Sequence, residues 1–557
     1  MKRLSTYLLA GIALLSASCS DFLDTAPKDA LSPATTWKTE TDAESFVVGC
    51  YNGLLDPSSI LYLDCGSDIG YNNFSWEGWR PWGDGSLSSG NTGASFYDFA
   101  IIRRCNTVLE NIDNVEFTTA GKKEELIAEA KAIRAYRYFI MNWWYGGVPI
   151  IGSYTTAEEA QVPRNTEAEV REQIAQDLDD ALTAINTTPA ARGRIAKGAV
   201  LATKMREALY YGDWQKAKDA AQAIIDLKQY ELDSDYENLF KLSGIDSKEI
   251  ILAQWKHETN TQFSNTWIQG LVPNVNNDKI KEFANPPLVD NFEGWPSTFP
   301  SCDLIDAYEV IDEDGQAKDW DKTSYYQNYI TNGGYVSNAI YKNRDKRFYA
   351  TIVQDSSKYF NSIVTMRDKG NLHWNSRVGG DWGSALTGYL YRKGVYTDKK
   401  VWYSDPTYYH YVIMRLGRAY LNYAEVMLRQ GNIQTAIEYI NKTRTTHGGL
   451  PALSTSLSLD EAWKVYKRER RVELVHEGDR YWSLLRWGKA DGKTTVEELN
   501  KTHHSISISE DGKSFEIIPL PFRTSENERI FTKKRYLFPV PEGERVNNPA
   551  LDQNEGW

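Results

Sequence analysis

The sequence predicts a mainly α-helical fold: a scaffold of paired helices that carries a large, irregular, loop-rich lobe. Three observations carry this. Apolar residues recur at helical spacing in three long blocks. Two distant segments repeat one helix–glycine turn–helix design. Between those segments lies a stretch rich in Asn, Gly, Pro, Tyr and Trp, with weak periodicity.

The first block runs over about 101–144. Leu126, Ala130, Ile133, Ile140 and Trp144 fall on one helical face, and Gly146-Gly147 with Pro149 end it. The second block covers about 167–230 and the third about 411–489. The echo lies inside them. Ala208-Leu-Tyr-Tyr-Gly212-Asp213-Trp214 through Ala217 is matched by Ala424 through Gly431-Asn432-Ile433 to Ala436. Glycine permits the left-handed helix end, Asp or Asn caps the next helix, and the small Ala allows close approach. This is tetratricopeptide-like chemistry. The copies are too far apart for an uninterrupted solenoid, so something is inserted. The predicted division is 1–18 as signal peptide and 19–230 as N-terminal scaffold with a Trp-rich loop at 61–95. The lobe follows at 231–409, then a C-terminal scaffold and tail at 410–557.

Composition sets limits. The 557 residues allow about three domains or one large irregular one. Hydrophobic content of 41% excludes wholesale disorder. With 63 basic and 75 acidic side chains the net charge is −12, which argues against a nucleic-acid partner. The anomaly is 18 Trp and 34 Tyr, more flat amphipathic surface than one core needs.

The N-terminus has a basic start at Lys2-Arg3, an apolar run from Leu8 to Leu15, and small residues leading to Cys19. The run is too short to span a bilayer and reads as a secretory signal, with Cys19 the expected lipidation site. Such a chain is anchored to a membrane, not embedded in it. Ser20-Asp21 and Asp24 resemble the acidic signal that sends some lipoproteins to the outer face of the outer membrane. Cys50, Cys65, Cys105 and Cys302 remain, with no C-x-x-C, and their pairing is open.

Five segments together resemble the SusD/RagB family of Bacteroidetes surface lipoproteins. Cys19 through Asp24 with Pro27-Lys-Asp is similar to the family's mature start. Glu129 through Phe139 and Tyr145-Gly-Gly-Val-Pro149 resemble its early helix and turn. Lys197 through Trp214 resembles its first helix pair. Arg468 through Leu474, Glu477 through Trp482 and Leu485 through Gly488 resemble its late signature. Tyr536 through Pro541 and Asn548 through Asn554 resemble its C-terminus. The resemblance implies a SusD-like fold and capture of a polysaccharide or oligosaccharide at the outer membrane. It also implies a partner, the SusC-type TonB-dependent transporter. It does not name the sugar.

A sugar ring offers a flat C–H face to an aromatic plane and a rim of hydroxyls to polar groups. Trp76, Trp79 and Trp82 sit among Gly78, Pro81, Gly83 and Gly85, which break helices and form loops. Trp295, in Glu293-Gly-Trp-Pro-Ser, Trp320, among Asp319, Asp321 and Lys322, and Trp267 are the other candidate stackers. Asp68, Asn72, Arg367 and Tyr391 are the candidate hydroxyl partners. Trp143, Trp144, Trp214, Trp463, Trp482 and Trp487 lie on scaffold helices and are expected in the core. The Arg468, Arg470, Arg471, Glu473, Glu477 and Arg480 cluster is expected to be a structural salt-bridge network.

No zinc, nucleotide or serine-hydrolase motif is present. Asp312-Glu-Asp314-Gly315 lacks the further ligands of an EF-hand, so structural calcium is left undecided and no cofactor is expected. The expected function is a non-catalytic, lipid-anchored glycan receptor, with a neutral glycan as its preferred ligand. The alternatives are a peptide-binding lipoprotein of the RagB type, a surface glycosidase, whose two carboxylates sequence cannot exclude, and a purely structural adaptor.

Overall fold

The computed structural model describes residues 36–52, 54, 58–154, 156–256, 266–275, 285–374, 385–397, 409–520 and 529–557. Its scaffold is built from ten helices: α1 (Glu40–Tyr51), α2 (Ala100–Asn111), α3 (Lys122–Tyr145), α4 (Glu167–Ala184), α5 (Lys197–Tyr210), α6 (Trp214–Asp226), α7 (Leu416–Arg429), α8 (Ile433–Thr446), α9 (Leu459–Glu473) and α10 (Arg480–Ala490). The helix starts follow local chemistry. Thr39, Thr166 and Ser458 close capping boxes with Asp42, Glu169 and Glu461. The expected first block is two helices, α2 and α3, because the chain turns at 112–121 through Gly121 at φ +76°.

The echo is real. Gly212 (φ +79°) and Gly431 (φ +76°) end α5 and α7 in the left-handed region. The Asp213 carboxylate then accepts from Lys216 N at 3.1 Å, and the Asn432 side chain from Thr435 N at 3.2 Å. Each turn folds a helix back on its predecessor, so α5 packs on α6 and α7 on α8. The two hairpins also meet, because α6 packs on α7. With α3 on α4, α4 on α5 and α8 on α9, the stack is continuous in space although it is interrupted in sequence.

How the interruption closes is visible in the strands: β1 (Gly70–Asn72), β2 (Ile250–Lys256), β3 (Thr298–Pro300), β4 (Tyr409–Arg415), β5 (His504–Ile508) and β6 (Phe515–Pro519). β2 leaves the scaffold and β4 returns to it, and the two pair antiparallel from Tyr409↔Lys256 to Arg415↔Ile250. The excursion therefore starts and ends at one place, where β2 lies against α5 and β4 leads into α7. Residues 411–415 were expected to begin a helical block and are strand instead. All seven residues of β4 are buried, and a strand buried on both faces carries no alternation to distinguish the two states.

The core is aromatic. Trp143 stacks on Trp482 at 5.6 Å, and Trp144 meets Trp482 edge-on at 4.4 Å. Trp143, Trp144, Trp482 and Trp487 are buried as expected, whereas Trp214 and Trp463 are half-buried. The four described cysteines are free thiols. Among the described residues no helix is long and apolar enough to cross a membrane.

Candidate functional site

β1 and β3 form a short antiparallel ladder, Gly70↔Pro300, Tyr71↔Phe299 and Asn72↔Thr298, which the bond from Asn73 N to Ser297 O (2.6 Å) extends by one step. Beyond it the two chains part. One enters the single 3₁₀ turn Ser75–Glu77, and the other runs through Trp295 and Pro296. A third segment, the short helix Thr266–Gln269, abuts them: Trp295 N donates to Gln269 O at 2.8 Å and Ser297 N to Gly270 O at 2.9 Å. The strand ladder thus gathers the backbones that carry Trp76, Trp267 and Trp295.

The arrangement is pinned. A Cβ on Gly270 would fall 2.0 Å from the Tyr62 hydroxyl, and one on Gly294 would fall 1.7 Å from the Val272 carbonyl oxygen. Gly78 turns at φ +82° with its Cα against Ala94. Trp76 is 71% exposed and lies flat on the buried Phe74, at 4.4 Å and 17°. One indole face is fixed and the other is left to solvent. Trp295 is 46% exposed. Beneath them Asn72 Nδ2 donates to the Glu77 carboxylate and, at 3.3 Å, to Ser297 O. Burial pushes the Glu77 carboxyl up, and the bonds from Asn72 and Ser297 only partly offset it. The result is a rigid aromatic shelf with a hydrogen-bonding floor.

The remaining candidates lie elsewhere. Trp79 and Trp82 are 2% and 1% exposed, which removes both as ligand platforms. Pro81 opens the short helix Pro81–Asp84, and Gly78 and Gly85, both at φ +82°, fold that helix inward. Trp82 then packs against Trp144 (5.0 Å), Tyr481 (5.4 Å) and Phe538 (4.4 Å). Asp68 is fully buried in a fork–fork pair with Arg480 (2.8 and 2.7 Å), with Arg471 at 3.4 Å. Burial alone would raise its carboxyl, but the two guanidiniums outweigh this and hold it well below the usual range. Tyr391 is buried, its hydroxyl on Ile69 O at 3.1 Å and its ring 3.7 Å from that of His476. Arg367 is tied to Asp355 (2.5 Å) and lies against Gly512, in the turn between β5 and β6. Trp320 is half-buried; its Nε1 donates to Asp306 Oδ1 at 2.8 Å and its ring meets Tyr326 at 4.9 Å. Asn72 is buried too, so it supports the shelf and does not face outward. The Trp267 side chain, residues 1–18 and Cys19 lie outside the described residues. Phe74, Glu77 and Ser297 were not singled out by sequence. Phe74 and Trp76 stand two apart, the spacing of one face of an extended chain, and that was the available signal.

Metal chemistry has one candidate among the described residues, the buried group Glu249, His447 and Glu473. Cations already fill it. His447 bridges the two carboxylates at 3.1 and 2.7 Å, and Arg415 reaches both at 2.8 and 2.6 Å. Burial disfavours the imidazolium, but Glu473 and Glu249 outweigh it and raise His447 to about 10. The Arg468–Arg480 segment belongs to the same network: Arg470 pairs with Asp479 at 2.6 Å and Glu473 with Arg347 at 2.8 Å. Most partners come from other elements, so the network is tertiary, unlike the helix-face spacing that suggested it. At the hinted calcium loop, the Lys318 ammonium bridges Asp312 and Asp314, each at 2.6 Å.

Comparison with known proteins agrees with this architecture. A family model described as the SusD family matches residues 248–557, and one described as starch-binding associating with outer membrane matches residues 21–209. The chain is 24% identical to a SusD-like protein of Bacteroides ovatus, over 98% of this chain and 96% of that one. A solved SusD-like protein of Bacteroides fragilis superposes with a TM-score of 0.77 at 26% identity, covering 96% of this chain and 100% of that one. A solved laminarin-binding SusD-like protein shares the fold, with a TM-score of 0.67 at 20% identity over 94% and 100% of the two chains.

Proposed function

The chain belongs to the SusD family, and on that premise we propose that it is a non-catalytic glycan receptor of the cell surface. It captures a polysaccharide or oligosaccharide on the shelf of Trp76 and Trp295, with Trp267 as the third stacker. It is held at the outer face of the outer membrane by a lipid on Cys19 and passes its cargo to a SusC-type TonB-dependent transporter. Residues 231–409 form the lobe that, with the Trp-rich loop at 61–95, sets what is bound, and the rest of 19–230 with 410–557 forms the scaffold beneath. The observation that carries this reading is Trp76, a large aromatic left 71% exposed on a rigid support. An indole costs solvation when bare, and a single open face fixed by Phe74 and Gly78 is matched to a flat apolar ligand face. The match to a starch-binding family and the likeness to a laminarin-binding SusD-like protein support carbohydrate as that ligand. A neutral glycan fits the acidic balance of the chain and the aromatic shelf.

Each stack is worth about 0.5–1.5 kcal/mol, so two or three with a few hydrogen bonds give capture in the roughly millimolar to micromolar range. That suits a receptor that must release. Affinity electrophoresis through gels containing starch, laminarin, xylan or fructan tests it. One polysaccharide is expected to retard the protein, and Trp76→Ala or Trp295→Ala to weaken retardation about two- to tenfold each, the rate set by one stack. Unchanged retardation in the double variant would remove the shelf from the binding site. Reducing-end release on the same panel would replace the receptor by a glycosidase.

A further inference from the structure

The cleft of about 970 Å³ at the ends of the scaffold helices is not part of the shelf, and its charge runs against that of the whole chain. α3, α5, α7 and α10 all end on it. Six cations line it, Arg429, Arg486, Lys489, Lys493, Lys533 and Lys534, against the carboxylates Glu167 and Glu555. The two arginines are spoken for: Arg429 pairs with Asp491 at 3.2 Å, and Arg486 with Glu425. The ammonium groups of the four lysines have no carboxylate within 4 Å and donate no hydrogen bond among the described residues.

Helix C-termini attract cations, which accounts for a basic tendency here. It does not account for where the ammonium groups stand. Lys489 Nζ lies over the Trp143 ring at 4.1 Å, and Lys534 Nζ over the Trp557 ring at 4.1 Å, instead of on carbonyl oxygens. Aromatic faces hold these charges in place without neutralising them. Burial lowers Lys489 to about 8, with Glu167 the nearby charge opposing the shift. A bound anion would restore what burial takes away. The volume is far more than one ion needs (a water fills about 30 Å³) and is that of an organic ligand site, which runs to roughly 300–1,000 Å³.

We propose that this cleft is a second ligand site that binds an acidic oligosaccharide, a saccharide carrying carboxylate or sulfate groups, through the ammonium groups of Lys489, Lys493, Lys533 and Lys534. It stands apart from the shelf and does not depend on the reading given for it.

Calorimetric titration of the full chain at low salt tests it with four probes: an oligogalacturonate, its fully methyl-esterified neutral form, a sulfated galactan oligosaccharide, and sodium sulfate. At least one acidic oligosaccharide is expected to bind, at least tenfold more tightly than the neutral form and than sulfate, and to weaken as salt is raised. Lys489→Gln should weaken it about tenfold. Lys533→Gln with Lys534→Gln, a pair on the exposed rim that threatens folding least, should do the same. Trp76→Ala with Trp295→Ala should bind the acidic probe as the unmodified chain does, so failure of the shelf and failure of the cleft are separable. Silence of both acidic probes, equal binding of the neutral form, sulfate binding as tight as either oligosaccharide, or indifference to both lysine variants would each overturn the proposal.

Discussion

Trp76 and Trp82 stand six residues apart in one Gly- and Pro-rich segment, yet the first is 71% exposed and the second 1%. The difference lies in what each turn does. The 3₁₀ turn Ser75–Glu77 presents Trp76 outward over Phe74, whereas Pro81 and the left-handed Gly78 and Gly85 drive Trp82 into the Trp144–Phe538 cluster. Glycine and proline announce a turn, and a turn can point either way. That is why the Trp-rich loop was legible in the sequence while the fate of each indole was not: besides its neighbours Trp79 and Phe96, Trp82 packs on Trp144, Tyr481 and Phe538, which lie 62 to 456 positions away. Mutation separates the roles. Trp82→Ala is expected to cost about 3–5 kcal/mol in urea unfolding, as buried Trp truncations do. Trp76→Ala should stay within about 0.5 kcal/mol of the parent while losing polysaccharide retention. Equal costs would mean that the shelf is structural.

At the scale of elements, the helix–glycine–cap–helix units were readable because every part is local: the left-handed residue, the capping oxygen and the small Ala lie within ten residues. β4 was not, since its pairing with β2 is set some 160 positions away and its seven residues, buried on both faces, show no alternation that would mark a strand. Two glycines show how local geometry sorts into cost. Gly431 sits at φ +76° with open space around its Cα, so Gly431→Ala pays the left-handed backbone alone, about 1–2 kcal/mol. Gly147 sits at φ +114°, and a Cβ there would fall 2.4 Å from Asn165 O, between the end of α3 and the start of α4. Gly147→Ala must therefore move backbone and should cost clearly more. Unfolding midpoints that rank the two variants the other way would show that the α3–α4 junction yields easily.

Across the whole molecule two buried ion clusters join segments that sequence keeps apart: Asp68, from before β1, pairs with Arg480 of α10, and a larger network holds Glu249 beside β2, Arg347 from the lobe, Arg415 at the end of β4, His447 after α8 and Glu473 of α9, reaching Asp479 through Arg418 and Glu477. Desolvation makes such charges a weak source of net stability, but removing one partner strands the other, at about 3–5 kcal/mol. Asp68→Asn, which leaves Arg480 and Arg471 without a counter-charge, is expected to cost that much at neutral pH. Because Asp68 is held below its unfolded value, its contribution is full above about pH 3.9 and fades as pH falls through the folded value. His447 runs the other way. Its folded value, about 10, exceeds the unfolded value of roughly 6.5. Its contribution is therefore full below about pH 6.5 and is lost as pH rises toward 10. Urea titrations of the parent, Asp68→Asn and His447→Gln from pH 3 to 10 should show the first difference beginning to narrow below about pH 4 and the second closing in alkali. Parallel curves across the range would mean that neither group changes its proton affinity on folding, and the lobe and scaffold would then owe their union to the β2–β4 ladder and apolar packing.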